Sequence, residues 1–172
     1  MTPKRIAFLG TSGSGKTTLA RLVATRLDAP FVECDAIRHQ ANWVQASADE
    51  MRSAIEARIG GHDRWVIDGT LQRQIGDTIS GSAELLVWLD LPLALKLWRA
   101  GRRSLRRLRT GEELWNGNRE SWRGSFFSRD SVIRYAIRAH FRDRRELPRR
   151  EHAHKTLRLR TVAAVERWLA TF

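Results

Sequence analysis

Five short runs of apolar residues recur along the chain, and between them lie segments with apolar residues at every third or fourth position. The short runs have the length of buried strands, whereas a spacing of three and four residues is typical of an amphipathic helix. Strands that alternate with helices favour a parallel sheet covered by helices on both faces. We therefore predict a three-layer α/β domain with strands over residues 4–9, 31–35, 64–68, 84–90 and 155–159.

The predicted helices are delimited by residues that start or stop a helix. Pro30 ends the first helix and the pair Gly60-Gly61 ends the second. Asp90 precedes Leu91-Pro92 and is expected to cap the helix that follows. The helices are expected to run from about 16 to Pro30, from 47 or 48 to 59, from about 91 to 109, and over 129–146 and 162–169.

The segment 110–127 differs from its neighbours because it is polar and contains glycines. It predicts a loop or a lid rather than a regular helix. The helix before it is expected to bury a stripe of large apolar side chains. No internal repeat or linker composition divides the chain, so we expect one domain over residues 1–172. The residues of the expected buried stripe are Leu95, Trp98, Leu105 and Leu108.

The charge of the chain narrows its class of partner. The sequence has 31 Lys and Arg against 19 Asp and Glu, a formal charge of +12, and the arginines concentrate between 96 and 150. Such a balance indicates a polyanionic partner: a nucleotide, a nucleic acid or an acidic surface. No apolar run reaches the roughly 20 residues that span a bilayer, no signal-peptide pattern is present, and Cys34 is the single cysteine. We therefore expect a cytoplasmic protein with no membrane partner.

The stretch GTSGSGKT at 10–17 carries the most specific chemistry. It matches the pattern G-x-x-x-x-G-K-[ST] between a predicted strand and a predicted helix, where backbone N–H groups can surround phosphate oxygens. Lys16 is expected to reach the β- and γ-phosphates, and the Thr17 hydroxyl to bind Mg²⁺. A dinucleotide fingerprint would instead need a small residue where Thr18 stands. The predicted phosphate-binding residues are Gly10, Ser12, Gly13, Ser14, Gly15, Lys16, Thr17 and Thr18.

Three acids lie at the ends of predicted strands, where ligands of open α/β sheets bind. Asp68 precedes Gly69 and is predicted to hold a Mg²⁺-bound water. Asp35 is predicted to orient or deprotonate the hydroxyl of an acceptor, or to bind the acceptor in another way, and His39 and Trp43 to line the same pocket. Helix or turn capping is the alternative for Asp35 and Asp68, and packing for His39 and Trp43. For Asp90 capping is favoured.

Four arginines form a stripe on the helix after the fourth strand, at positions 99, 102, 103 and 106. Like charges at this spacing repel by about 0.2–0.5 kcal/mol per pair, so the row is mildly unfavourable until an anion binds. Guanidinium groups bind phosphate oxygens in pairs and stabilise a phosphoryl group in transfer. We predict catalytic roles for Arg99 and Arg103, against the alternative of a solvated face.

With these motifs in place, the chain resembles the adenylate-kinase-like small P-loop kinases, and most of all the bacterial topology-modulation-protein-like kinases. The resemblance covers nearly all residues, and the segment EELWNGNRE at 112–120 is particular to that subgroup. It implies a P-loop NTPase fold with a five-stranded parallel sheet, a mobile arginine-rich lid, and ATP with Mg²⁺ as donor. The other matching segments are GTSGSGKTTLA (10–20), ECDAIRH (33–39) with Asn42-Trp43, RWVIDG (64–69) and LVWLDLP (86–92).

The resemblance also marks where the chain departs from its relatives. Many continue Asp-Gly-Asn-Tyr where this chain has Asp68-Gly69-Thr70-Leu71, and the Asp-Gly-Phe-Pro-Arg pattern of adenylate kinases is absent. AMP is therefore a doubtful acceptor, and Arg73, at a different spacing, is the candidate replacement for the missing arginine.

The leading hypothesis is an ATP- and Mg²⁺-dependent phosphotransferase that acts on a small acceptor, with a nucleotide or nucleoside among the candidates. The alternatives are a nucleic-acid-binding NTPase or regulator, and a kinase of polynucleotide 5′-hydroxyl ends. The sequence leaves open the acceptor and the choice between monomer and homodimer.

Overall fold

The core of the fold is a five-stranded sheet in which every pair of neighbouring strands is parallel. The computed structural model describes residues 2–128, 131–149 and 151–172. The strand order β2-β3-β1-β4-β5 places the first strand at the centre. This arrangement confirms the five predicted strands and their parallel sheet. Their bounds are β1 (Arg5–Leu9), β2 (Phe31–Glu33), β3 (Trp65–Asp68), β4 (Leu85–Leu89) and β5 (Thr156–Leu159).

Eight α-helices are described, and five of them correspond to predicted ones. The other three, α2, α4 and α5, have four or five residues each, too few to show a helical period. Residues 129 and 130 of the predicted 129–146 helix lie outside the described residues. The bounds are α1 (Lys16–Leu27), α2 (Cys34–Arg38), α3 (Ala48–Ile59), α4 (Gln72–Ile75), α5 (Thr78–Ser82), α6 (Leu93–Thr110), α7 (Val132–Glu146) and α8 (Val162–Leu169).

Both faces of the sheet are buried by helices. Successive residues of a strand point to opposite faces, so neighbouring residues of β1 enter different clusters. In β1, Ala7 packs with Met51 and Ile55 on the α3 side. Ile6 and Phe8 pack on the opposite face with the α1 side chains. This explains why the strands appear in the sequence as continuous apolar runs rather than alternating ones.

The α6 helix buries a different face from the one expected. Trp98 is 60% exposed, whereas Lys96, Ala100 and Ser104 are buried. The reason is close approach: a Cβ added to Gly13 would collide with the carbonyl oxygen of Lys96 and touch Ala100. Small side chains are needed where α6 meets the glycine loop, so the predicted burial of Trp98 is wrong.

The segment 110–127 contains a 3₁₀ turn at Trp115–Gly117 and a π-helical turn at Arg123–Phe127. Closure of this segment as a lid stays a prediction, as does the single-domain organisation. Across the described part of the chain, no helix combines the length and the apolar character that crossing a membrane requires.

Candidate active site

The glycine loop joins β1 to α1 and forms an open cradle. Gly10, Gly13 and Gly15 have φ angles of 150°, 79° and 90°, and the latter two lie in the left-handed region that favours glycine. The α1 helix begins at Lys16, and its N-cap Gly15 provides no side-chain hydrogen bond to the first turn. The first N–H groups of a helix lack partners within the helix and carry the positive end of its dipole. The loop therefore presents backbone donors suited to an anion.

Side-chain hydroxyls in the loop support the same conclusion. The Thr11 Oγ1 and Ser14 Oγ atoms are buried and have no hydrogen-bond partner among the described residues. A buried polar atom without a partner costs about 1–3 kcal/mol. Phosphate oxygens would accept hydrogen bonds from both hydroxyls, so the cradle fits a phosphorylated ligand.

Lys16 lies between two carboxylates. Its Nζ is 3.2 Å from Oδ1 of Asp68 and 4.0 Å from Oδ2 of Asp35. Burial lowers the pKa of Lys16, but the charges of Asp68 and Asp35 outweigh burial and raise that pKa above its ordinary value. The ammonium is therefore charged at neutral pH and held beside the loop.

Thr17 and Asp68 meet at the same point. The Thr17 hydroxyl donates a hydrogen bond to Oδ2 of Asp68, whose side chain is only 2% exposed. A hydroxyl and a carboxylate are oxygen ligands of the kind that Mg²⁺ binds. This pair therefore fits the metal that the phosphate-loop motif implies.

Asp35 occupies the first turn of α2, not the end of a strand as expected, because β2 ends at Glu33. Its side chain is 42% exposed, unlike Asp68, so it can meet a second ligand. Cys34, the preceding residue, is 2% exposed, and burial followed by the charges of Asp35 and Asp68 raises the pKa of its thiol. Cys34 is therefore a packing residue here, not a nucleophile.

Arg103 reaches the loop from α6. Its guanidinium donates to Ser12 Oγ at 3.1 Å, and its Nε is buried without a partner among the described residues. Arg99 also faces the loop, since one of its terminal nitrogens lies 3.7 Å from the position of a Cβ on Gly15. The other two arginines of the predicted stripe point away: Arg102 stacks over Trp98 at 5.5 Å, and Arg106 pairs with Glu112 at 3.0 Å.

These arginines line an open cleft of about 630 Å³ along α6. Because Arg99 and Arg103 stand at its border with the glycine loop, a ligand bound in the loop can extend into the cleft. The other lining residues are Trp98, Arg102, Leu105, Arg106, Arg109 and Thr110.

His39 and Trp43 lie together in an aromatic cluster with Trp115, and their role in an acceptor pocket stays a prediction. The His39 ring stacks on Trp115 with centroids 5.8 Å apart and meets the edge of Trp43 at 5.4 Å. Burial lowers the pKa of His39, and the charge of Asp35 opposes this only in part. Arg73 is exposed on α4, and no hydrogen bond or ion pair among the described residues joins it to Asp35 or His39.

Asp90 has a role that the sequence prediction missed. It is 1% exposed and accepts hydrogen bonds from Arg144 at 2.9 Å and Arg158 at 2.6 Å. The α6 helix begins after Pro92, so Asp90 is not its cap. Beside it, Nζ of Lys96 lies 2.7 Å from Nδ1 of His140. This buried network joins α6 and α7 to β4 and β5, and no local sequence pattern indicates it.

Comparison of the sequence with protein families finds one matching model. Residues 6–66 match the model described as the ATPase family associated with various cellular activities. Curated relatives are the HslU ATPase subunits of ATP-dependent proteases from Thermoanaerobacter pseudethanolicus and Caldanaerobacter subterraneus, each 38% identical over 61 residues. That stretch is 34% of this chain and 13% of each relative. The family match begins in β1 and ends in β3, so it covers about a third of the chain.

Solved structures resemble nearly the whole chain. A gluconokinase from Sinorhizobium meliloti has a TM-score of 0.54 at 20% identity and covers 98% of this chain and 95% of its own. A shikimate kinase from Acinetobacter baumannii has a TM-score of 0.57 at 19% identity, with coverage of 99% and 90%. A deoxyadenosine kinase from M. mycoides has a TM-score of 0.58 at 11% identity, with coverage of 96% and 97%.

These findings establish the P-loop NTPase fold, and the structural neighbours are small P-loop kinases. At these identities the likeness concerns the fold alone. The narrower resemblance to topology-modulation-protein-like kinases stays a prediction.

Proposed function

We propose that the chain is an ATP-dependent phosphotransferase that moves the γ-phosphoryl group to a hydroxyl of a small acceptor. The observation that carries this proposal is the position of Lys16 between the buried Asp68 and the exposed Asp35. One carboxylate lies on the donor side beside Thr17, and the other is accessible to a second molecule. A carboxylate in this position can take the proton of a hydroxyl acceptor or of water, so the acceptor panel below is what separates transfer from hydrolysis.

On the donor side, the loop amides and the Thr11 and Ser14 hydroxyls would bind the phosphates. Lys16 would leave Asp68 for the β- and γ-phosphates and offset negative charge as the phosphoryl group moves. Mg²⁺, when bound, neutralises phosphate charge, and Thr17 with Asp68 would hold it. These assignments follow from the N–H and O–H groups that the loop offers to phosphate and from the oxygen ligands that Thr17 and Asp68 offer to Mg²⁺.

On the acceptor side, Asp35 would accept the hydroxyl proton as the oxygen attacks phosphorus. Its exposed carboxylate faces the same ammonium that binds the γ-phosphate, so attacking oxygen and phosphorus would meet between them. His39 and Trp43 would form the wall behind the acceptor. Arg73 is a weaker candidate for that wall, because it is exposed and forms no hydrogen bond or ion pair with Asp35 in the described part of the chain.

Arg99 and Arg103 would bind the phosphoryl group in transfer. Both face the loop, and the unpartnered Nε of Arg103 leaves a buried donor for an anionic oxygen. Guanidinium groups in this position stabilise the transition state of phosphoryl transfer strongly. The arginine cleft would then receive the rest of the nucleotide.

Nucleic acid is a second candidate ligand, favoured by one observation. Trp98 is 60% exposed and carries Arg102 over its ring, beside the other arginines of the cleft. Exposed aromatic rings among arginines are typical of surfaces that bind single strands. Such binding would weaken steeply with salt, by a log–log slope of about −0.7 per phosphate contact. Absence of binding at low salt would exclude it.

The proposal is tested by measuring ADP release with Mg·ATP and a panel of acceptors. The panel contains gluconate, shikimate, deoxyadenosine, nucleoside monophosphates and an oligonucleotide with a 5′-hydroxyl. We expect one acceptor class to raise ADP release above the acceptor-free rate, and Asp35→Asn to lower this gain by about 10²-fold or more. Asp49→Asn, at an exposed acid of α3, is the control. Acceptor-dependent release that survives both Asp35→Asn and Lys16→Ala would overturn the proposal.

A further inference from the structure

We propose that Trp115, Asn116 and Asn118 are positioning residues for the acceptor side of the site. They belong to a segment, Glu113–Arg119, that we call the clasp. The clasp contacts the residues around α2, the helix that carries Asp35, and it holds that helix at both ends. The inference rests on the proposed role of Asp35 and assigns a function to a segment that was predicted only as part of a lid.

The α2 helix cannot be stable on its own. It has five residues, and its N-cap Glu33 makes no side-chain capping hydrogen bond to the helix. Isolated helices shorter than about 12 residues are marginal in water, so a one-turn helix depends on contacts from elsewhere in the fold. The direction of the Asp35 carboxylate depends on the same contacts.

The clasp meets the start of α2 through Trp115. Its indole Nε1 donates to Oε1 of Glu33 at 2.9 Å, while Arg21 donates to Oε2 at 2.6 Å. The Glu33 side chain is 14% exposed. Both carboxylate oxygens of the N-cap residue are therefore occupied, and the start of the helix is fixed two residues before Asp35.

The clasp meets the end of α2 through Asn116. Its Nδ2 donates to the carbonyl oxygens of His39 at 2.6 Å and Ala36 at 3.2 Å. Carbonyl groups in the last turn of a helix lack partners within the helix. The amide of Asn116 is therefore a capping group supplied from 77 and 80 residues along the chain.

Asn118 extends the clasp to the turn that follows α2. Its Oδ1 accepts from the backbone N–H of Trp43 at 2.8 Å, and its Nδ2 donates to the carbonyl of Gln40 at 2.9 Å. The residue is 4% exposed. The Trp43 indole donates in turn to the carbonyl of Arg119 at 3.3 Å.

The two segments in contact have the same local shape. Each contains a 3₁₀ turn closed by an antiparallel bridge, between His39 and Gln45 in one and between Glu113 and Arg119 in the other. Each has an asparagine with positive φ, 58° at Asn42 and 57° at Asn116. Asparagine tolerates the left-handed region better than other non-glycine residues. Because the two turns have matching shapes, the side-chain amides of the clasp can form hydrogen bonds with the backbone of the turn after α2.

The clasp acts on one half of the site. Its hydrogen bonds reach residues 33–43, and the described residues show no hydrogen bond from Trp115, Asn116 or Asn118 to the glycine loop. Loss of the clasp should therefore free α2 and Asp35 while ATP binding is retained. A change that merely unfolded the protein would affect both halves.

The experiment compares Trp115→Phe, which removes the Nε1–H and keeps an aromatic ring, with Asn116→Ala. Trp122→Phe is the matched control, since Trp122 is 54% exposed and lies outside the clasp. Amide hydrogen–deuterium exchange is measured on the full chain, together with the Kd of a fluorescent ATP analogue. We expect the exchange rate over residues 34–43 to rise about tenfold in both variants. The exchange rate over residues 16–27 and the Kd of the analogue should stay the same. In the control variant, all three quantities should match those of the parent chain.

With an acceptor from the panel, kcat should fall or the acceptor KM should rise about tenfold in both variants, while the KM for ATP stays constant. Unchanged exchange over 34–43, or unchanged acceptor kinetics despite faster exchange, would overturn the inference. A parallel loss of analogue binding would also overturn it, since it would indicate general destabilisation. If the chain transfers no phosphoryl group, the proposed function fails, and the exchange and binding measurements still decide whether the clasp holds α2.

Discussion

The ammonium nitrogen of Lys16 lies 3.2 Å from a carboxylate oxygen of Asp68, a side chain that is 2% exposed. The same carboxylate accepts a hydrogen bond from Thr17, the next residue in the chain. A triphosphate in the loop would compete with Asp68 for Lys16, and Mg²⁺ would compete with Thr17 for Asp68. Asp68 therefore holds Lys16 and Thr17 in place before ATP binds. On binding, Lys16 would exchange Asp68 for phosphate, and Thr17 would exchange it for Mg²⁺.

Replacement of Asp68 tests this relationship in the absence of nucleotide. Asp68→Asn keeps the shape of the side chain, and among the described residues it leaves Asp35, at 4.0 Å, as the carboxylate beside Lys16. We expect the free energy of unfolding to fall by about 1–3 kcal/mol, because a buried charge loses its principal partner. Urea unfolding measures the change, and a double-mutant cycle with Lys16→Met isolates the pair. Additive single effects, within about 0.5 kcal/mol, would contradict the coupling.

Gly13 is the position where the loop tolerates a side chain least. Its φ is 79°, and an added Cβ would collide with the backbone carbonyl of Lys96 on α6. Gly13→Ala should therefore distort the loop and reduce ATP binding by at least about tenfold. Gly81→Ala in α5 is the control, because its Cβ would meet no atom within 4 Å. Isothermal titration with an ATP analogue compares the two, and equal affinities would show that the loop does not depend on this contact.

Arg103 and Arg102 are adjacent in sequence but differ in their surroundings. Arg103 donates to Ser12 in the loop, whereas Arg102 is exposed and stacks on Trp98. We expect Arg103→Ala to lower kcat by about 10²-fold or more and Arg102→Ala to change it less than about threefold. Steady-state kinetics with the best acceptor of the panel measures both. An equal loss of kcat in the two variants would indicate that the summed positive charge of the arginines stabilises the transition state, rather than the position of Arg103.

His140 should give folding a pH dependence. Burial, followed by the charges of Lys96 and Arg144, lowers the pKa of His140 below its ordinary value, and Asp90 opposes this. The unfolded chain therefore takes up a proton first as pH falls, so stability is full above about pH 6.5 and decreases below it, by at most about 1.4 kcal/mol per pH unit.

His140→Gln keeps an oxygen that can accept from Lys96 and removes the titrating group. We expect urea unfolding between pH 7.5 and 5.5 to show a smaller loss of stability in this variant than in the parent chain. His62→Gln, at an exposed histidine, should keep the parental slope. Identical slopes in the parent and in His140→Gln would assign the pH dependence to other groups.

The strands and longer helices were predictable because each has a pattern that its own residues display. The continuous apolar runs at β1, β3 and β4 indicated strands buried on both faces, and the structure places them at the centre of the sheet. One-turn helices such as α2 are too short for a period, so Asp35 was assigned to a strand end although it lies on a helix.

The errors have a common physical cause. Trp98 was expected inside because apolar side chains usually face the core, but the backbone of Gly13 approaches α6 where only small residues fit. Asp90 was expected to cap a helix because Leu91-Pro92 follows it. Its actual partners, Arg144 and Arg158, lie 54 and 68 residues away. Contacts at such separations are set by the assembled fold and leave no local pattern.

The most direct test of the central claim follows the γ-phosphoryl group itself. The chain is incubated with Mg²⁺, γ-labelled ATP and a protein-free extract of small molecules, and the labelled products are separated. We predict label in a phosphate ester that does not form with Lys16→Ala, a variant checked for folding by circular dichroism. Label found only in inorganic phosphate, or the same ester formed equally by Lys16→Ala, would contradict the assignment of this site to phosphoryl transfer.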